Sequence, residues 1–66
     1  MKVHVNGRET DVQAGTTVAE LIKALGLADR RVAVEINRDV VARDQWPRRA
    51  VSESDTVEIV QFVGGG

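Results

Sequence analysis

Thr17-Val18-Ala19-Glu20-Leu21-Ile22-Lys23-Ala24-Leu25-Gly26 carries the start, the buried face and the stop of a helix. The Thr17 hydroxyl suits an N-cap, and Glu20 three residues on completes a capping box. Val18, Leu21, Ile22 and Leu25 follow the i, i+3, i+4, i+7 spacing and form one apolar stripe. Gly26 falls where a left-handed C-cap is expected, because glycine has no Cβ to clash there. A helix of about two turns is therefore predicted over 18–25.

The segments on either side alternate instead. Val3 and Val5 interleave with Lys2, His4 and Asn6, the period of a half-buried strand. Asn6-Gly7 is a hairpin signal, since both residues tolerate positive φ. The return strand is predicted over 8–12, and Ala14-Gly15 breaks it. Beyond the helix, Val32, Val34 and Ile36 mark a strand, Asn37-Arg38-Asp39 a turn, and Val40-Val41-Ala42 a short returning strand. Residues 43–49 are expected to be irregular, because Pro47 interrupts any regular element. Trp46 reads as a lid on the core edge in preference to a ligand stacker. Ser52–Asp55 is a polar turn, and residues 56–62 form the last and strongest strand.

The first and last strands are the most apolar at alternate positions and are expected side by side at the sheet centre. Their directions are then parallel, with the helix in the crossover. The fold class is α+β: a mixed four- to five-stranded sheet with one main helix packed on one face. Residues 1–63 form the domain, and 64–66 a glycine tail.

Sixty-six residues make one small domain with a thin core. There is no cysteine and a single histidine, His4. Disulfides, a thiol nucleophile and a metal cluster are not expected. So short a chain has little room for a pocket holding substrate and catalytic groups, so an enzyme is not expected. Nine basic side chains face ten acidic ones. Arg30, Arg31, Arg38, Arg43, Arg48 and Arg49 are interleaved with Asp29, Glu35, Asp39 and Asp44, so no basic stripe for nucleic acid is expected. No apolar run has the length of a membrane span, and the opening alternation has no signal-peptide core. A cytoplasmic location is the expectation.

Two features do not serve the core. If Val57 and Ile59 face inward, Glu58, Val60 and Phe62 face outward. Val60 and Phe62 then either pack across strands on the stems of Lys2 and His4, or form a docking patch that continues into Val63. The second feature is Gly64-Gly65-Gly66. It reads either as a frayed terminus or expression remnant, or as a slender tail. A slender tail threads into a narrow channel and presents the Gly66 carboxylate with no side chain beside it. That carboxylate, with a pKa near ~3.5, is a poor electrophile until activated. Attack on the α-phosphorus of ATP gives an acyl-adenylate, and a sulfur nucleophile that displaces AMP leaves a thiocarboxylate. The chain has no GxxxxGK[ST] loop and no cysteine, so a separate activating enzyme is required on this reading.

The whole chain resembles the ThiS family of sulfur carriers in thiamine biosynthesis. The resemblance rests on Val3-His4-Val5-Asn6-Gly7, Ala14-Gly15-Thr16-Thr17-Val18 and Val32-Ala33-Val34-Glu35-Ile36-Asn37. It continues through Val41-Ala42-Arg43-Asp44-Gln45-Trp46 and closes on Ile59-Val60-Gln61-Phe62-Val63 before the glycines. It implies a ubiquitin-like β-grasp fold. It also implies that Gly66 is adenylated by an E1-like enzyme that uses ATP, with no cofactor bound to the carrier itself. Sulfur from cysteine, through a desulfurase, then makes the thiocarboxylate that thiazole synthase consumes. Gly65 and Gly66 match the family's diglycine, and Gly64 extends the tail. Related carriers for molybdopterin or cysteine synthesis, a protein-conjugating modifier and a plain ubiquitin-like interaction domain are the alternatives.

Overall fold

The structure, a computed structural model, describes residues 1–62. Five strands and one helix run in the order β1 (Lys2–Val5), β2 (Arg8–Asp11), α1 (Val18–Ala24), β3 (Val32–Ile36), β4 (Asp39–Val41) and β5 (Thr56–Gln61). The sheet order is β2-β1-β5-β3-β4. β1 and β5 are parallel neighbours at the centre, with Val5 opposite Val57, and the other pairs are antiparallel. This is the predicted mixed sheet.

Both hairpins turn on two residues with positive φ. In the first these are Asn6 (51°) and Gly7 (80°), and in the second Asn37 (52°) and Arg38 (74°). Such turns match the twist of the strands they join. The helix has its full capping box: Glu20 N–H donates to Thr17 Oγ1 at 3.2 Å, and Thr17 N–H to Glu20 Oε1 at 2.9 Å. Its remaining first-turn donors are taken by the chain itself. Val18 N–H reaches the Arg49 carbonyl at 2.8 Å and Ala19 N–H the Trp46 carbonyl at 3.1 Å. At the other end, Gly26 N–H donates to Lys23 O and Leu27 N–H to Ile22 O, both at 3.0 Å. That pair of bonds, with Gly26 at φ 75°, is the Schellman closure.

Val18, Leu21 and Ile22 of α1 share a buried cluster with Val3, Val34, Ile36 and Val57 from three strands. The helix thus covers one sheet face and leaves the other to solvent. Three local expectations change. Leu25 is exposed, because it is the helix C-cap at ψ 0° and has already left the apolar stripe. The segment after β4 contains a 3-10 turn over Arg43–Gln45. Trp46 goes beyond a lid and lies buried in the core: its indole N–H donates to the Val41 carbonyl at 3.0 Å, and the Arg43 guanidinium stacks 4.9 Å above the ring.

Candidate functional site

The candidate site is the outer face of β5 and the strand end that leads to the glycines. Alternation decides which side chains it shows. Val57 and Ile59 are in the core, while Thr56, Glu58 and Val60 are exposed. Val60 keeps 55 % and Phe62 59 % of their surface, so both are available to a partner without unpacking the core. Val63, Gly64, Gly65 and Gly66, also expected in the docking patch and tail, lie outside the described residues.

The cross-strand alternative for Val60 and Phe62 is corrected by the register. Ala33 stands opposite Val60, whereas His4 stands opposite Thr56 at the far end of β5. The stems of Lys2 and His4 are therefore not the neighbours of this patch. His4 is half-buried beside Thr56.

β5 is fixed along its length by groups outside the regular ladders. Thr56 N–H donates to Asn37 Oδ1 at 3.0 Å, and Asn37 Nδ2 donates to Asp55 Oδ1 at 3.0 Å. In mid-strand, Ile59 N–H donates to Asn6 Oδ1 at 2.7 Å. At the end, Phe62 N–H donates to the Arg31 carbonyl at 2.9 Å. Asn6 and Asn37 thus play two parts each, since the residue that accepts positive φ in a turn also supplies a carboxamide to the central strand. The turn signals were visible in sequence, but their partners on β5 were not.

The outer face carries charge as well as apolar surface. Glu35 and Glu58 are directly opposite in the β3–β5 register, and Val40 lies across from Glu35 on the other side. An open depression of about 390 Å³ is lined by Asn37, Arg38, Thr56 and Glu58. At the far edge, Lys2 Nζ meets Asp11 Oδ1 at 2.8 Å and Glu9 Oε1 at 3.9 Å. The hydrogen bond to Asp11, and then its charge, raise the Lys2 pKa; the same bond and the Lys2 charge lower that of Asp11. Among the described residues no group of three or more His, Cys, Asp or Glu is placed to hold a metal. None of the described helices is long and apolar enough to cross a membrane.

A sheet in this order, with parallel first and last strands and one helix on one face, defines a ubiquitin-like β-grasp domain. The model of the ThiS family matches residues 3–66, and the chain belongs to that family. It is similar to the sulfur carrier protein ThiS of Escherichia coli, with 32 % identity over all of both chains. It is also similar to thiazole synthases of Magnetococcus marinus (44 %) and Paramagnetospirillum magneticum (42 %), over the whole of this chain. The chain spans only about a fifth (20 %) of the length of those two relatives. Among solved structures, the crystal structure of the thiamine biosynthesis protein ThiS from Geobacter metallireducens superimposes with a TM-score of 0.85 at 36 % identity, covering all of both chains.

Proposed function

We propose that this chain is a sulfur carrier of thiamine biosynthesis, working in the cytoplasm, and that the α-carboxylate of Gly66 is the group it carries. One observation bears most of the weight: the chain matches the E. coli sulfur carrier protein from end to end, and the family match runs through Gly66. The thiazole synthase relatives add the consumer, because they join a segment like this one to a protein of that name. The carrier serves as a substrate for other active sites.

On this reading a carboxylate oxygen of Gly66 attacks the α-phosphorus of ATP, held by an E1-like enzyme, and pyrophosphate leaves. The terminal sulfur of a persulfide, derived from cysteine through a desulfurase, then attacks the acyl carbon and AMP departs with its bonding electron pair, leaving an acyl disulfide. A thiol attacks the enzyme-side sulfur of that disulfide, and the S–S bond breaks with its electron pair going to the carrier's sulfur. The product is a thiocarboxylate with one oxygen replaced by sulfur, ready for transfer to thiazole synthase. Gly64 and Gly65 bear no side chains and pass through a narrow channel to the reacting centre. Val60, Phe62 and Val63 dock the domain beside it.

Intact-mass spectrometry tests this directly. The chain is incubated with ATP, the activating enzyme and a sulfur source. The expected result is a mass gain of one sulfur for one oxygen, located at Gly66 and lost when Gly66 is deleted or followed by one added residue. An unchanged mass with a competent enzyme present rejects the reading, as does full activity of the extended chain.

A further inference from the structure

Three features that weaken the isolated domain gather on one side of the sheet. Val40, Val60 and Phe62 are exposed apolar side chains on the outer face. Glu35 and Glu58 are placed directly opposite each other on that face, and like charges so placed are destabilising. Among the described residues neither carboxylate forms an ion pair. Arg38 occupies φ 74°, a region that costs a non-glycine residue energy, and it borders the same depression as Glu58 without pairing with it. Locally unfavourable choices concentrated at one place point to use.

We infer that this face docks the activating enzyme through a basic side chain of that partner, an arginine or lysine, received between Glu35 and Glu58, with apolar contacts around it on Val40, Val60 and Phe62. The inference rests on the carrier reading, which supplies the partner. Charge excludes the other occupants. A second copy seated face to face would bring four carboxylates together, and a nucleic acid would add phosphates to them. A divalent cation wants more ligands than two carboxylates, one half-buried and one exposed, provide, and no third acidic or histidine group joins them among the described residues. A cationic protein side chain relieves the repulsion on binding. Reach agrees as well: Gly66 is the fourth residue after Phe62, at most about 14 Å of extended chain away, so the partner that holds the carboxylate lies beside this face.

The test uses Glu35→Gln, Glu58→Gln and the double variant, with affinity for the E1-like enzyme measured by titration at low and high salt. The expected result is a paradox for a folding defect. The double variant melts at a higher temperature than the parent, yet binds about three- to tenfold more weakly at low salt and loses most of its salt dependence. Equal affinity and equal salt dependence for parent and double variant overturn the inference. So does a lower melting temperature of the double variant, because the pair would then be structural. Loading is scored separately by mass at saturating enzyme. Variants that bind weakly but load fully at saturation support the docking face. A parent chain that binds with the expected charge dependence but is never loaded refutes the carrier reading and leaves the docking face standing.

Discussion

The carboxamide of Asn6 holds both main-chain groups of Ile59. Its Oδ1 accepts the Ile59 N–H at 2.7 Å, and its Nδ2 donates to the Ile59 carbonyl at 3.1 Å. The side chain thereby acts as one further residue of β1, extending its pairing with β5 past the strand's end at Val5. Asn6→Ala removes both bonds at a part-buried position and places alanine at φ 51°. A loss of about 2–3 kcal/mol is expected in urea unfolding. Asn6→Asp keeps the acceptor and loses the donor, so it is expected between the two. A loss below about 0.5 kcal/mol for the alanine variant would mean that water replaces the amide at little cost.

Arg38 takes the turn position that glycine fills in the first hairpin, at φ 74° against 80° for Gly7. Arg38→Gly is expected to stabilise the domain by about 0.5–1 kcal/mol, the relief of the left-handed strain less the greater freedom of the unfolded glycine. Thermal melting decides it, and a lower melting temperature would show that the guanidinium contributes more in place than the strain costs.

The Lys2–Asp11 pair makes stability depend on pH in a defined direction. The Asp11 pKa is lowered from its ordinary value of 3.8, so its contribution is present above that value and fades as pH falls through the lowered one. The Lys2 pKa is raised from 10.5, so its contribution is present below that value and fades as pH rises through the raised one. Both groups are exposed, so the effect is small and screened by salt. Melting curves from pH 2 to pH 5 should show Asp11→Asn with a shallower acid limb than the parent at low salt. Identical limbs would place the acid sensitivity elsewhere.

Phe62→Asp is expected to leave the fold intact, because the ring is exposed and its backbone bond to Arg31 does not need the side chain. Affinity for the activating enzyme should fall by tenfold or more, about 1.4 kcal/mol, if Phe62 is an anchor of the interface. Loss of cooperative unfolding in this variant would put Phe62 in the core and reverse the assignment of faces.

Whatever the sequence specifies locally was legible in it. Thr17, Glu20 and Gly26 bracket the helix within ten residues, and each finds its partner within that stretch or one residue past it. Alternation at Val3, Val5, Val57 and Ile59 sorted the two faces correctly. Leu25 was misplaced because spacing cannot see that a cap turns the chain away from the stripe. Trp46 was underestimated because its burial depends on Val41 and on the loop that closes over the helix start. The pairing of Glu35 with Glu58, and of Asn6 with Ile59, depends on register between strands distant in sequence, which no local pattern states. Of the candidate site, the exposure of Glu58, Val60 and Phe62 was legible, but the placement of Glu35 opposite Glu58 was not.

The central place of β5 has a consequence for synthesis. Residues 56–61 lie between β1 and β3 and join the two hairpins into one sheet. A nascent chain that lacks them holds two unconnected halves with open edges, so closure is a late, non-local event. Completion of the fold is thereby coupled to synthesis of the segment that leads into the glycines. An unfinished or unfolded copy has no assembled face to offer, so on the carrier reading proposed above an activating enzyme that reads the face before the terminus would spend no ATP on defective molecules.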